Sequence, residues 1–426
     1  MAENTIEQLI TYCPACSQKY RVEPEMAGEK ATCAQCETEF VIQDAGEQTP
    51  AEAPAEIPAE APVESARAAA PEPEPLAEEA TGKKGPSRLS DQEVEAAVQE
   101  LAETRERVLK EIGKVIVGQQ EVLDQVLVAF FAGGHCVLEG VPGLAKTLMV
   151  SCLSQTLNLD FKRVQFTPDL MPSDITGTQM IEEDERRGMR FVFKKGPVFT
   201  NILLADEINR TPPKTQASLL EAMQERRVTS GGKTYTLPKP FLVLATQNPL
   251  EQEGTYPLPE AQLDRFLFLV MLDYPELEHE VEILLSTTGA APDDLNHLLD
   301  GERIQRFQAL VRQVPVSPHV AEYTARLVRA TRPANPDAPD FVPNLIRWGC
   351  GPRAGQALLL AAKSHAVLQG RFSISCEDVR SYALPALRHR IGLTFAASSE
   401  GLKADDVIRR ILKEIPESKE KTAVNG

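Results

Sequence analysis

The chain has 426 residues, of which 42% are hydrophobic and 25% charged, an ordinary composition for a globular protein with room for several domains. It has no apolar run near the ~20 residues that span a membrane, and its start, Met1-Ala2-Glu3-Asn4, lacks the basic and apolar segments of a secretory signal. The net charge is −17, and between Asp44 and Ala80 ten acidic residues face Arg67 alone, so the chain lacks the basic excess that nucleic-acid binding usually requires.

Eight cysteines in a chain of this kind predict a cytoplasmic protein whose thiols are reduced or metal-bound. Residues 1–43 contain two Cys-x-x-Cys pairs, Cys13 with Cys16 and Cys33 with Cys36, separated by 16 residues. This spacing predicts a zinc ribbon in which four thiolates fill a tetrahedral site, so the metal is structural. Zinc would supply most of the folding energy of so short a segment. A redox pair or two unrelated turns are the alternatives.

Residues 44–88 repeat alanine, proline and glutamate, as in the run from Ala51 to Pro58. Such a segment has too few large apolar side chains to offset the entropy cost of becoming ordered. Proline and like charges would stiffen and extend it. We therefore predict a disordered tether between the zinc ribbon and the rest of the chain.

Helical spacing of apolar residues begins after Ser90, and a second helix is predicted from Val122 to Phe131. The short element Ile116-Val117-Gly118-Gln119 joins the two helices. These segments lead directly into a motif with phosphate-binding character.

That motif is Gly140-Val141-Pro142-Gly143-Leu144-Ala145-Lys146-Thr147, between the apolar run at residues 136–138 and a predicted helix over 148–157. A strand–turn–helix of this kind cradles phosphates, because backbone N–H groups point into the turn and the helix N-terminus is partly positive. Lys146 would reach the terminal phosphates and Thr147 would ligate magnesium. Ala145 stands where G-x-x-x-x-G-K-[ST] has its second glycine. An ordinary strand–turn–helix is the alternative.

A strand at residues 161–166 follows, and then two β-hairpins are predicted. The first pairs residues 178–182 with 189–193, and the second pairs 227–229 with 234–237 around Gly231-Gly232. A helix over residues 215–225 lies between the hairpins.

The run Asn201-Ile202-Leu203-Leu204-Ala205-Asp206-Glu207 reads as a buried strand that ends in two carboxylates. Asp206 would hold magnesium through water, and Glu207 would polarise the attacking water. A solvated acidic turn is the alternative. The combination with Lys146 and Thr147 predicts a nucleoside triphosphatase.

A further buried strand over residues 241–247 ends at Asn248. Asn248 could lie between the phosphate loop and the carboxylate pair and orient the attacking water. Its alternative is a turn asparagine before Pro249. Residues 262–266 then end a short helix before a strand over 267–270.

Four stretches resemble the signature of the MoxR family of AAA+ ATPases, which often carries Gly-Leu-Ala-Lys-Thr in its phosphate loop. The resemblance covers about residues 100–400 and omits the zinc ribbon and tether. The stretches are Val164 to Gly177, Ala205 to Arg210, Leu219 to Glu225, and Pro259 to Phe266.

The resemblance implies roles residue by residue. Lys146 and Thr147 would bind phosphate and magnesium, Asp206 magnesium, and Glu207 the water. Asn248 would be the first sensor, Arg265 the arginine finger projected into a neighbouring subunit, and Arg353 the second sensor that touches the γ-phosphate. The ATP-binding set implied by the family comprises Val117, Gly118, Gly140, Pro142, Gly143, Leu144, Ala145, Lys146, Thr147 and Leu148.

We therefore predict an α/β fold: a zinc ribbon (1–43), a disordered linker (44–88), an AAA+ P-loop core with a parallel sheet (89–275), a helical lid (276–416) and a flexible tail (417–426). The resemblance implies a hexameric ring that uses ATP and magnesium to remodel or mature protein partners, often proteins with von Willebrand factor A domains. The alternatives are a nucleic-acid-associated motor and an ATPase subunit like that of magnesium chelatase.

Overall fold

A computed structural model describes residues 9–12, 19–22, 26, 30–33, 38–41, 91–184, 188–249, 254–289 and 294–417. The chain divides into two compact units, residues 1–83 and 84–426. The predicted linker and C-terminal tail lie outside the described residues, except for Glu417. The predicted boundary between core and lid at residue 275 falls inside the second unit and stays a prediction.

The N-terminal unit contains two short antiparallel hairpins. Their strands are β1 (Leu9–Tyr12), β2 (Lys19–Val22), β3 (Lys30–Thr32) and β4 (Glu39–Val41). Each hairpin connection contains one of the two Cys-x-x-Cys pairs in sequence. Cys33 is buried, whereas Cys13, Cys16 and Cys36 lie outside the described residues.

The second unit is built on a five-stranded parallel sheet, as predicted. The first half of this unit comprises α1 (Asp91–Ile112), α2 (Gln120–Ala132), β5 (Cys136–Glu139), α3 (Lys146–Thr156), β6 (Phe161–Gln165), α4 (Pro172–Thr176), β7 (Gly177–Asp184), β8 (Gly188–Lys195), β9 (Ile202–Asp206), α5 (Pro213–Glu225), β10 (Arg227–Ser230), β11 (Lys233–Thr236), β12 (Leu242–Gln247), α6 (Glu260–Leu263) and β13 (Phe268–Met271). The strand order in the sheet is β13-β5-β12-β9-β6.

The inner strands are apolar up to their carboxyl ends, because both faces of the sheet are covered, and they end in polar residues. Successive residues of one strand belong to different hydrophobic clusters: Leu203 packs on one side of β9, and Ile202 and Leu204 pack on the other. The first cluster includes residues of α1, α2 and α3, and the second includes residues of α5. The result is a layered α/β domain whose strand ends converge at one edge.

Both predicted hairpins are confirmed, as the antiparallel pairs β7–β8 and β10–β11. They contact each other at their bases, where the rings of Phe193 and Tyr235 stack with centroids 4.2 Å apart. Gly177 starts β7 at φ 100°, and a Cβ there would lie 2.4 Å from the backbone oxygen of Lys194. Only glycine fits this close approach.

The C-terminal part is mainly helical, as predicted, with one small addition. It comprises α7 (Leu277–Thr287), α8 (Gly301–Gln313), α9 (Pro318–Ala330), α10 (Val342–Leu345), β14 (Ile346–Trp348), α11 (Pro352–Leu368), α12 (Cys376–Ser381), α13 (Ala383–Leu387), β15 (Gly392–Leu393), α14 (Phe395–Ser399) and α15 (Ala404–Glu414). Strands β14 and β15 form a two-stranded antiparallel sheet that the sequence pattern did not predict.

Local signals fix the ends of these helices. Ser317 caps α9 by accepting a hydrogen bond from the Val320 N–H, with Pro318 in the first turn. Ser375 and Asp378 form a capping box at the start of α12. Within the described residues, no helix combines the length and the apolar character that crossing a membrane would take.

Candidate functional site

The phosphate-binding motif forms the connection between β5 and α3. Gly143 has φ 86°, with no heavy atom within 4 Å of where a Cβ would stand. Ala145 has φ 52° and ψ 23°, the left-handed conformation that glycine adopts most easily. An alanine there costs on the order of 1 kcal/mol. The departure from the glycine pattern therefore leaves the turn geometry intact at a modest cost.

Lys146 begins α3 and turns back over the loop. Its Nζ donates a hydrogen bond to the Gly140 carbonyl at 2.5 Å. Burial lowers the pKa of Lys146, and the carboxylates of Asp206, Glu207 and Glu139 oppose that shift. The lysine is thus a partly desolvated cation that interacts electrostatically with the predicted acidic pair and with Glu139.

Asp206 and Glu207 lie at the carboxyl end of β9 and share Thr246 of β12. The Thr246 hydroxyl donates to Asp206 Oδ1 at 2.6 Å and accepts from the Glu207 N–H at 2.8 Å. Thr246 is only 1% exposed. One buried hydroxyl therefore fixes both the carboxylate of Asp206 and the backbone of Glu207, which has φ 56°.

The edge strand β6 supplies further partners for both carboxylates. Arg163 Nη2 donates to Asp206 Oδ2 at 2.6 Å, and Gln165 Nε2 donates to Glu207 Oε2 at 2.6 Å. Gln165 also accepts a hydrogen bond from Arg163 at 3.0 Å, and Arg210 pairs with Glu207 at 3.0 Å. The acidic pair is thus held by a polar network.

One cavity of about 430 Å³ is lined by the phosphate loop, both carboxylates, Thr246 and Arg163. Its lining includes an amine, a guanidinium, two hydroxyls, two carboxylates and an amide together with the start of α3. Oxygen ligands of this kind suit magnesium, and the helix N-terminus and lysine suit phosphate. The residues present therefore fit a magnesium–nucleotide complex. The cavity is lined by Pro142, Gly143, Leu144, Ala145, Lys146, Thr147, Leu148, Arg163, Asp206, Glu207, Thr246 and Asn248.

A second cavity of about 480 Å³ continues from the first, since both are lined by Pro142, Gly143, Leu144, Ala145 and Leu148. Its other walls are largely apolar and include Ile116, Val117, Pro275 and Ile283. Gly118, predicted to bind ATP, does not line this second cavity. It has φ 76° and lies against the His279 side chain. The two cavities form one cleft, apolar at one end and charged at the other, as a purine nucleoside triphosphate requires.

Arg265 and Arg353 lie together in a different cavity of about 270 Å³. That cavity shares no lining residue with the one around Lys146. Arg353 Nη1 lies 3.2 Å from Asp264 Oδ2, and the buried Arg390 donates to Asp264 Oδ1 at 2.7 Å. The structure therefore brings the two predicted arginines to each other and not to the phosphate cavity of their own chain.

The zinc prediction falls mostly outside the described residues, because only Cys33 of the four cysteines is included. Within the described ranges, no group of three or more histidine, cysteine, aspartate or glutamate side chains is placed to hold a metal ion. That finding does not bear on Cys13, Cys16 and Cys36.

Sequence reasoning missed Arg163, Gln165, Arg210 and Thr246. Two of them had a usable signal: Arg163 and Gln165 stand two positions apart at the end of a predicted strand, so they share one face of it. The register that pairs Gln165 with Asp206 comes only from the structure.

Two family profiles match the chain. One, described as the ATPase family associated with various cellular activities (AAA), matches residues 135–268. The other, an AAA lid domain, matches residues 342–411. The matches coincide with the parallel sheet and with the C-terminal helices.

Several proteins are similar over most of the chain. Chaperone MoxR1 of Mycobacterium tuberculosis is 42% identical over 312 residues, 73% of this chain and 82% of that protein. The uncharacterised YeaC of Bacillus subtilis is 40% identical, covering 75% of this chain and 96% of its own length. A crystal structure of a candidate ATPase from Cytophaga hutchinsonii superposes with a TM-score of 0.72 at 41% identity, covering 77% of this chain and 99% of that one.

Proposed function

The chain belongs to the MoxR family of AAA+ ATPases, and from this premise we propose that its ATP hydrolysis remodels or matures protein partners. The ATPase activity rests on the family and on the cleft that joins an apolar base pocket to Lys146, Asp206 and Glu207. The chaperone role is supported by the name of the relative from Mycobacterium tuberculosis. The relatives favour neither the nucleic-acid motor nor the chelatase subunit.

The polar residues of the phosphate cavity take the following roles. Lys146 binds the terminal phosphates, and Thr147 and Asp206 hold magnesium, which when bound neutralises phosphate charge. Glu207 acts on the attacking water. Asn248 is 6% exposed and lines the same cavity, a position suited to orienting that water.

The binding of the rest of the nucleotide is divided between the loop and the apolar pocket. Pro142 to Ala145 line both cavities and would surround the phosphates, and Leu148, which also lines both, would lie between phosphate and base. Gly140 lines neither cavity, and its carbonyl accepts the hydrogen bond from Lys146. Val117 lines the base pocket, and Gly118 gives its segment the turn that brings Val117 there. An apolar pocket of this kind suits adenine.

We place Arg265 and Arg353 at the phosphate site of a neighbouring copy. The support is their shared cavity, which is separate from the phosphate cavity of the same chain. A head-to-tail interface that closes on itself generates a ring, and we propose a homo-hexamer. In such a ring each ATP site would be completed by two arginines from the next subunit.

The N-terminal unit is proposed to be a structural zinc ribbon on a disordered linker. Each Cys-x-x-Cys pair falls in sequence between the strands of one hairpin, β1–β2 or β3–β4, which suits a site that clamps two turns with one ion. A reducing, cytoplasmic location is supported by the buried free thiols of Cys136, Cys152, Cys350 and Cys376. Partners with a von Willebrand factor A domain are the proposed clients.

The proposal is tested with the purified full-length protein. We expect ATP turnover that depends on magnesium, and a Glu207→Gln variant that retains a von Willebrand factor A domain partner in the presence of ATP. Lys146→Ala is the matched control and should retain no partner. Absence of magnesium-dependent turnover contradicts the ATPase assignment for this site. Equal retention by both variants contradicts ATP-driven remodelling.

A further inference from the structure

Arg163 is a second cation of the phosphate cavity, provided by the edge strand β6. Both its Nη2 and its Nε donate to Asp206 Oδ2, at 2.6 and 3.0 Å. Nη2 also donates to Gln165 Oε1 at 3.0 Å, which orients the guanidinium toward the carboxylate. The Asp206 oxygen on this side is therefore already occupied by a positive group.

The two partners differ in exposure. The Asp206 side chain is 13% exposed, whereas that of Arg163 is 48% exposed. A carboxylate withdrawn this far from water is costly without a cation. An arginine with half of its surface in solvent can leave without disturbing the core.

We propose that Arg163 takes the place of magnesium on Asp206 in the metal-free protein and gives up the carboxylate when magnesium and nucleotide enter together. This inference rests on the proposed role of Asp206 in holding magnesium. Two cations a few ångströms apart repel each other, so the guanidinium and the metal compete for Asp206. Free magnesium alone has to break the ion pair without offering the arginine a new partner.

Bound nucleotide lowers the cost of breaking the ion pair between Arg163 and Asp206. A triphosphate brings several negative charges into the cavity that Arg163 lines, so the released guanidinium keeps an anionic environment. Metal binding at Asp206 is thereby coupled to nucleotide binding. Magnesium without nucleotide therefore binds only weakly at Asp206.

The matched control is the neighbouring residue. Lys162 stands on the same exposed strand and carries the same charge, but its Nζ donates to the Phe199 carbonyl at 3.3 Å and does not line the phosphate cavity. Lys162→Met therefore removes one positive charge from β6 without releasing Asp206. Arg163→Met removes the charge and releases Asp206.

The experiment measures binding of a fluorescent ATP analogue while magnesium is titrated from a chelated baseline. In Arg163→Met the half-saturating magnesium concentration should fall about fivefold, the scale of one exposed ion pair. In Lys162→Met it should stay within about twofold of the wild type. Thermal unfolding gives a second measurement: magnesium without nucleotide should raise the Tm of Arg163→Met and leave that of the wild type unchanged.

An unchanged or higher half-saturating magnesium concentration in Arg163→Met overturns the inference, as does a Tm that free magnesium fails to raise. Weaker analogue binding at every magnesium concentration, with an unchanged half-saturating magnesium concentration, makes Arg163 a phosphate ligand only and also overturns it. If Arg163→Met does not fold, Arg163→Gln serves for the same measurements. Failure of the wild type to bind the analogue in a magnesium-dependent way refutes the proposed nucleotide site itself, a result distinct from the others.

Discussion

The carboxylate of Asp264 lies 3.2 Å from Nη1 of Arg353, although the two residues are 89 positions apart in the chain. Asp264 directly precedes Arg265 and also accepts a hydrogen bond at 2.7 Å from Arg390, whose side chain is 3% exposed. Two arginines of the C-terminal helical part therefore hold the turn that carries Arg265. A shift of those helices would be passed to Arg265 through this carboxylate.

The first prediction separates nucleotide binding from hydrolysis. Lys146→Ala should lose ATP binding, because the terminal phosphates lose their cation. Glu207→Gln should bind ATP within about twofold of the wild type. It should hydrolyse ATP roughly 10²- to 10⁴-fold more slowly, the rate factor that a positioned general base contributes. Affinity and turnover are measured for both, with the exposed Glu221→Gln as control. Unchanged turnover in Glu207→Gln would remove that residue from its proposed role.

The second prediction concerns the four cysteines. The purified protein should carry about one zinc ion per chain, and a Cys13→Ser, Cys33→Ser double variant should carry none. ATP turnover should be kept, because a separate compact unit, residues 84–426, contains the ATPase site. Metal content is measured by elemental analysis with turnover in parallel. Loss of turnover together with zinc would contradict the modular arrangement.

The sequence was sufficient for elements whose signals are local. The phosphate loop, the Asp206–Glu207 pair and both hairpins were predictable, because each stands at a recognisable transition between an apolar run and polar or glycine residues. Thr246 was missed because a buried threonine within an apolar strand looks like packing. Its role depends on the neighbouring strand β9, which is known only once the sheet order is known.

The location of Arg353 was beyond sequence reasoning for a similar reason. Its motif predicted a contact with the γ-phosphate, but its neighbours Asp264 and Arg390 are set by the packing of the C-terminal helices on the sheet. The sheet β14–β15 was missed because strands of three and two residues carry no periodicity.

The third prediction is a loss of stability in acid through His135. Its Nδ1 accepts a hydrogen bond from the Val243 N–H at 3.0 Å, and burial, assisted by Arg226, lowers the His135 pKa from 6.5 to about 4. Between these values the unfolded chain binds a proton that the folded chain does not, so stability falls as the pH falls from about 6.5 to 4. The loss should be on the order of 2–3 kcal/mol.

The measurement is the free energy of unfolding by denaturant between pH 7.5 and 4.5. His135→Gln should be less stable at pH 7.5 and should lose less stability on acidification, since glutamine does not titrate. The exposed His319→Gln is the control and should follow the wild type. An identical pH slope in His135→Gln and the wild type would show that His135 does not contribute.

The last prediction tests whether Arg265 and Arg353 act on the site of a neighbouring copy. Lys146 and magnesium neutralise part of the phosphate charge, and the transition state requires a further cation that arginine supplies with a planar, permanently charged fork. Such arginines contribute roughly 10³–10⁵ in rate in GTPases. Arg265→Ala and Arg353→Ala should therefore each bind ATP nearly normally and hydrolyse it poorly.

Mixing either arginine variant with Lys146→Ala should restore activity. In a randomly mixed ring with head-to-tail interfaces, about one site in four combines an intact Lys146 with an intact arginine from its neighbour. A chain that carries both Lys146→Ala and Arg265→Ala is the control, because mixing it with Arg265→Ala leaves no site complete. Mixed rings that form but recover nothing would place that arginine in its own chain's site. Recovery with Arg265→Ala but not with Arg353→Ala would mean that only Arg265 acts on the neighbouring copy.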